Sequence, residues 1–159
     1  MFRRPELNWG ILGTARIAEK AVVPALVSVK HTPVIAVASR DLTRAQEFAA
    51  LFEIPRAYGT YDELLADSNV QAVYIPLPNS EHAPWAIKAV QAGKHVLVEK
   101  PFALNSDDAQ MMVSTALDRK VVLMEGFMYR YSERFEKIYE IVRAGTIGKV
   151  RLVQSGFSF

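Results

Sequence analysis

Residues Leu7–Ala18 read LNWGILGTARIA, an apolar run that reaches a glycine and passes at once into helix formers. A dinucleotide-binding βα unit needs a tight bend, a residue without bulk facing the pyrophosphate, and close packing of helix on strand. Those three places fall on Gly13, Ala15 and Ala18, so alanine replaces the middle glycine of the G-x-G-x-x-G/A pattern. A plain strand-to-helix turn would also use Gly13. The strand before it, the helix after it and the βαβ spacing that follows favour the dinucleotide. The N–H groups at the helix start, across Gly13, Thr14, Ala15, Arg16 and Ile17, would then receive the phosphates.

On either side of this turn, short apolar runs alternate with longer helix-like stretches. Ala15–Val29 has helical character that Pro24 should bend or divide. PVIAVAS (Pro33–Ser39) reads as a strand, Leu42–Phe52 as a helix capped by Asp41, and Tyr61–Ala66 as a short helix. VQAVYIP (Val70–Pro76) is a strand and Ser80–Ala92 a helix closed by Gly93. KHVLVEK (Lys94–Lys100) and KVVLMEG (Lys120–Gly126) are strands flanking a helix over Ser106–Asp118, with Ser106 or Asn105 as its N-cap. Strands alternating with helices predict an α/β fold, a Rossmann-type doubly wound parallel sheet over residues 1–126. The near-continuous apolar strands suit burial on both faces.

After Gly126 the pattern changes. Ser132–Ala144 reads as one helix ended by Gly145, and an alternating strand is expected from Val150 to the chain end. Residues 127–159 are therefore expected to be the first helix and strand of a second, α+β domain for substrate and oligomerisation, with its remainder absent. Such a strand would present an unpaired edge, and exposed apolar surface is expected at Tyr131, Leu152, Phe157 and Phe159.

The 159 residues are 50% apolar and 23% charged, with a net charge of +2. That is enough apolar material for a real core and too little clustered basic charge for a nucleic-acid surface. The absence of cysteine excludes disulfides, thiolate metal sites and a cysteine nucleophile. No metal-ligand constellation is present. MFRRPELNW lacks the apolar stretch of a signal peptide, and nothing approaches a membrane span. A cytoplasmic protein without membrane or nucleic-acid partners is expected.

Function is read at the strand ends. Where an NAD-preferring fold places an acid after its second strand, this chain has Ser39 and Arg40, with Arg44 four residues on and on the same side of the next helix. A hydroxyl and two guanidiniums suit a 2′-phosphate, through charge-assisted, forked hydrogen bonds. NADP is expected over NAD, although solvated surface arginines would look the same. The Ile75–Asn79 turn brings Pro76, Leu77 and Asn79 to a strand end, with His82 three residues later. Glu99 and Lys100 end another strand, and Pro101 stops it, through a trans or a cis bond. A lysine in a partly dry cleft would lose proton affinity and exchange a proton with a substrate hydroxyl, with Glu99 orienting it or touching the cofactor. A surface ion pair closing a strand is the alternative.

The ordered set GILGTARIA, ASR, IPLPNSEH, AGKHVLVEKPFAL, FMYRY and GTIGKVRLV resembles the Gfo/Idh/MocA family of oxidoreductases over essentially the whole chain. The resemblance implies an N-terminal Rossmann domain joined to an open mixed sheet, acting on sugars, cyclitols and related polyols with NAD(P), usually as a homo-oligomer. It implies that Lys100 is the catalytic lysine and that Glu99 and Pro101 shape the nicotinamide side. Glu125, Phe127, Met128, Tyr129 and Arg130 match the E-x-F-M-[WY]-R segment of the NADP-dependent aldose and dihydrodiol dehydrogenase branch, which adds Arg130 to the cofactor contacts. After Arg130 the chain departs, with Tyr131-Ser132-Glu133 where the branch often has aromatic-His-Pro. The family's D-x-x-x-H motif has no equivalent after Lys100, since no histidine follows His95. Two functions are thus open: the cofactor-binding half of an NADP-dependent sugar or polyol oxidoreductase, or an NADP-binding module without catalysis.

Overall fold

The computed structural model describes residues 6–156. Its strands are β1 (Trp9–Leu12), β2 (Val34–Ala38), β3 (Arg56–Tyr58), β4 (Ala72–Ile75), β5 (His95–Val98) and β6 (Leu123–Glu125). All neighbours run parallel in one sheet of order β3-β2-β1-β4-β5-β6, so the strand order reverses between β1 and β4. β3 is a strand that periodicity does not predict: Arg56-Ala57-Tyr58 carries no apolar run, and pairing with Ala36–Ala38 of β2 defines it.

Side chains alternate across the sheet, as the two-residue strand period requires. Leu12, Val73, Ile75, Val96 and Val98 point to one face and join a core with Leu64, Ala86, Val90 and Met112. That face is covered by α3 (Tyr61–Ala66), α4 (Asn79–Gln91) and α5 (Ser106–Arg119). Ile11, Val37 and Tyr74 point to the other face, under Val23 of α1 (Val23–Ser28) and Phe48 of α2 (Leu42–Leu51). Pro24 acts as expected, but by changing the winding: Ala18–Val22 is a π-helical turn, and Val23 N–H bonds back to the Ala18 carbonyl just before the proline opens α1.

The helix starts follow their capping residues. Asp41 accepts from the N–H groups of Thr43 and Arg44, and Asn105 from that of Asp108. Thr60 and Glu63 form a reciprocal capping box on α3. At the amino-terminal edge of the sheet, Asp67 gathers Arg56 at 2.7 Å, the Tyr58 hydroxyl at 3.0 Å and both Asn69 donors. The buried Lys94 ammonium donates to the carbonyls of Asp67 and Val70.

The chain divides into two compact units, 1–126 and 127–159. The second contains a 3₁₀ turn (Met128–Tyr131) and α6 (Glu133–Arg143), capped by Ser132. The strand expected from Val150 is not formed through residue 156, because alternation creates a strand only where a neighbour completes the hydrogen-bond ladder. Tyr131 and Leu152 are 67% and 82% exposed; Phe157 and Phe159 lie outside the described residues.

Candidate functional site

The carboxyl ends of β1, β2 and β4 surround a cleft of about 330 Å³ lined by Gly13, Thr14, Ala15, Ser39, Arg40, Asp41, Arg44, Tyr61, Pro76, Leu77 and Pro78. It lies where the strand order reverses, which is where open parallel sheets bind their ligands. Gly13 has φ +103°, and a Cβ there would sit 2.8 Å from Leu77 Cδ2. The bend therefore requires glycine twice over, for its backbone angle and for the space that a side chain would fill. Ala15 occupies the second place of the turn without closing the cleft. Arg16 and Ile17 are exposed beside it.

On the β2 side, Ser39 is buried and its Oγ accepts from the Asp41 N–H at 3.2 Å, which leaves the hydroxyl proton free to be donated. Arg40 and Arg44 are exposed and line the same cleft. Tyr61 closes its floor. Burial raises the Tyr61 phenol above the usual tyrosine range, while the positive charge of the Arg40 guanidinium pulls the other way. Tyr61 in turn packs edge-on against Trp85, with ring centres 4.8 Å apart. Tyr61 and Pro78 are lining residues that sequence reasoning assigned no role; a tyrosine opening a short helix carries no signal for this.

These residues fit a dinucleotide phosphate. The turn has room where a side chain would intrude, the cleft holds two guanidiniums and a hydroxyl, and no acid stands at Ser39. Asp41 is the one carboxylate in the lining, and its Oδ1 is used on the α2 N-terminus.

The second half of the candidate site leaves β4 and β5 side by side. Ile75 pairs with Val98, so the turns after the two strands emerge at one level. Lys100 follows β5 and is exposed, so this unit alone does not supply the partly dry cleft expected around it. The Lys100–Pro101 peptide is cis. Glu99 does not reach the lysine ammonium. One carboxylate oxygen accepts from the Tyr74 hydroxyl at 2.7 Å, the other from the Lys100 backbone N–H at 3.3 Å. Tyr74 is fully buried, and burial together with this bond drives its phenol far above the usual range, so it remains a donor. Gly126 lies over the same carboxylate; a Cβ there would be 3.4 Å from Glu99 Oε1.

His82 is fully buried, and each ring nitrogen faces a carbonyl: Nδ1 that of Pro101 at 2.7 Å, Nε2 that of Leu77 at 2.9 Å. It has no nitrogen left for a cofactor, contrary to expectation, and works within the protein. Asn79 is exposed at the first turn of α4, after the Pro76–Pro78 lining. Arg130 is exposed in the second unit.

A family model described as an oxidoreductase family with an NAD-binding Rossmann fold, GFO_IDH_MocA, matches residues 7–127. The chain belongs to the Gfo/Idh/MocA oxidoreductase family. Among relatives of this Gfo/Idh/MocA chain, the D-xylose 1-dehydrogenase (NADP(+)) 2 of Haloferax volcanii is 46% identical over 153 residues, 96% of this chain and 46% of that protein. The trans-1,2-dihydrobenzene-1,2-diol dehydrogenase of Mus musculus is 41% identical over 155 residues, again 96% and 46%. Of solved structures, a 3-ketoreductase from Actinomadura kijaniata in complex with NADP and TDP-benzene superposes with a TM-score of 0.84 at 35% identity, over 92% of this chain and 45% of that one. The chain thus spans about half the length of the relatives it matches.

Proposed function

We propose that this chain is the NADP-binding half of an oxidoreductase that moves a hydride between the nicotinamide and a hydroxyl or carbonyl carbon of a sugar or polyol. The observation that carries this is the joining, on one sheet edge, of a glycine-bent phosphate turn, a Ser39/Arg40/Arg44 cluster and Lys100. The names of the relatives, an NADP-dependent xylose dehydrogenase and a ketoreductase bound to NADP, support the same cofactor and substrate class.

Bound NADP(H) would supply the hydride acceptor or donor. Ser39, Arg40 and Arg44 would hold the 2′-phosphate and the N–H groups from Thr14 to Ile17 the pyrophosphate, while Gly13, whose own N–H donates to the Ala38 carbonyl at 2.7 Å, would give the room for its approach. Pro76 and Leu77, which line the cleft, and Asn79 after them would contact the bound cofactor. Lys100 Nζ would take the substrate hydroxyl proton in oxidation and return it in reduction. Glu99 fixes the lysine through its backbone N–H, and Arg130 would be a further cofactor contact on the family resemblance alone. Residues 127–159 would begin the substrate and oligomerisation domain. On the same reading the protein is a cytoplasmic homo-oligomer without nucleic-acid or membrane partners. The net charge of +2, spread without a dense basic patch, supports only the absence of a nucleic-acid partner; among the described residues no helix is long and apolar enough to cross a membrane.

The exposure of Lys100 favours one further possibility, an NADP-binding module without turnover. Titration with NADPH and NADH, followed by nicotinamide fluorescence, tests what the two readings share. NADPH is expected to bind at least tenfold tighter than NADH; equal affinities would remove the 2′-phosphate site, and no binding of either would remove the function. Oxidation of a sugar panel with NADP then separates enzyme from module.

A further inference from the structure

We propose that Glu125 and His82 are positioning residues that clamp the turn carrying Lys100 from two sides, on the reading of Lys100 as the proton-transfer group given above. The two polar groups that follow Lys100 in the backbone are both held by side chains remote in sequence. The Pro101 carbonyl faces His82 Nδ1 at 2.7 Å, and the Phe102 N–H donates to Glu125 Oε1 at 2.8 Å. Glu125 reaches the turn because it ends β6 directly opposite Val98 of β5. His82 reaches it from α4 while its second nitrogen faces the Leu77 carbonyl at 2.9 Å.

Leu77 is the residue that closes on Gly13 in the phosphate turn. His82, a side chain with no exposed surface, therefore stands between the cofactor-lining turn and the lysine turn, and its imidazole donates to one of the two carbonyls when neutral and to both when protonated. A backbone held at two successive polar groups loses the freedom to swing, and a lysine on it keeps one approach to its substrate. A misplacement near 1 Å is enough to cost a reaction about 100-fold, so such a clamp bears on turnover rather than on cofactor affinity. The chemistry of the Glu125 contact also defines its own control. A glutamine in that place still offers an oxygen to the Phe102 N–H, whereas an alanine offers nothing.

The test uses the chain as it stands and does not depend on turnover. In wild type the Phe102 amide is expected to be protected from hydrogen exchange. Glu125→Gln should keep the protection and Glu125→Ala should lose it. With lysines tagged by reductive ¹³C-methylation and Lys100 assigned through its loss in Lys100→Arg, the Lys100 signal should shift in Glu125→Ala and stay in place in Glu125→Gln. His82→Ala should move the same signal by breaking the other contact, and NADPH affinity should stay within twofold in both Glu125 variants. An unprotected Phe102 amide in wild type, or a Lys100 signal indifferent to Glu125→Ala and His82→Ala, would overturn the clamp. The wild-type amide measurement decides even if an alanine variant fails to fold. Failure to bind NADPH would overturn the proposed function instead, a separate result. In an active holoenzyme Glu125→Ala should lower kcat tenfold or more, leave the cofactor KM unchanged, and be rescued by Glu125→Gln.

Discussion

At Ser39, Arg40 and Arg44 three side chains carry the choice of cofactor. Each guanidinium would form charge-assisted bonds to a 2′-phosphate, worth about 1.5–3 kcal/mol each. Arg40→Ala and Arg44→Ala are each expected to weaken NADPH binding about tenfold or more and to leave NADH unchanged, as read by fluorescence titration. Gly13→Ala would set a methyl against Leu77 in a left-handed backbone. It is expected to cost about 1–3 kcal/mol of stability and most NADPH affinity, measured by thermal melting and titration. The sequence displays these residues openly, because a bend without a side chain and a missing acid are local facts. It does not display the work of His82. Leu77 and Pro101 are 24 residues apart, and only the parallel pairing of β4 with β5 brings their carbonyls to one imidazole. Glu99 was visible as a charge at a strand end, but its bond to Tyr74 depends on the same pairing.

Among the elements, those with strong local signals were legible. The capping residues Asp41, Thr60 and Asn105 fix where their helices begin, and Pro24 marks where one changes winding. β3 was not legible, because three residues of mixed character become a strand only against β2. The strand expected from Val150 fails for the complementary reason: alternation is present and no ladder forms. Thr60→Ala, which removes one half of a capping box, is expected to cost about 1 kcal/mol and lower the melting midpoint by about 3 °C. The turn between α3 and β4 adds a pH dependence. Burial pushes the Asp67 carboxyl up, but the Asn69 donors, Arg56 and Tyr58 outweigh it and hold the pKa down to about 2, from 3.8. A pKa depressed on folding gives stability that is complete above about pH 4 and is lost as pH falls towards 2. Denaturant unfolding from pH 5 to 2 should show this acid limb in wild type and a flatter one in Asp67→Asn.

For the molecule as a whole, the chain matches only about 46% of the length of its relatives, and its second unit keeps little apolar surface from water. Ile138, Tyr139, Leu152 and Val153 are all exposed. Self-association rising with concentration is expected by light scattering, and Leu152→Lys with Val153→Lys should reduce it. The division at Gly126 is visible in sequence as a break in the strand–helix alternation. The two tryptophans stand in different surroundings: Trp9 in β1 beside Leu97 and Met124, and Trp85 against the Tyr61 ring that floors the cleft. A dihydronicotinamide cofactor absorbs where indole emits. The two native tryptophans therefore make an intrinsic optical gauge of occupancy, in which energy transfer reports a filled cleft without a label, and Trp85→Phe separates the share of the indole that packs on Tyr61 of the cleft lining from that of Trp9.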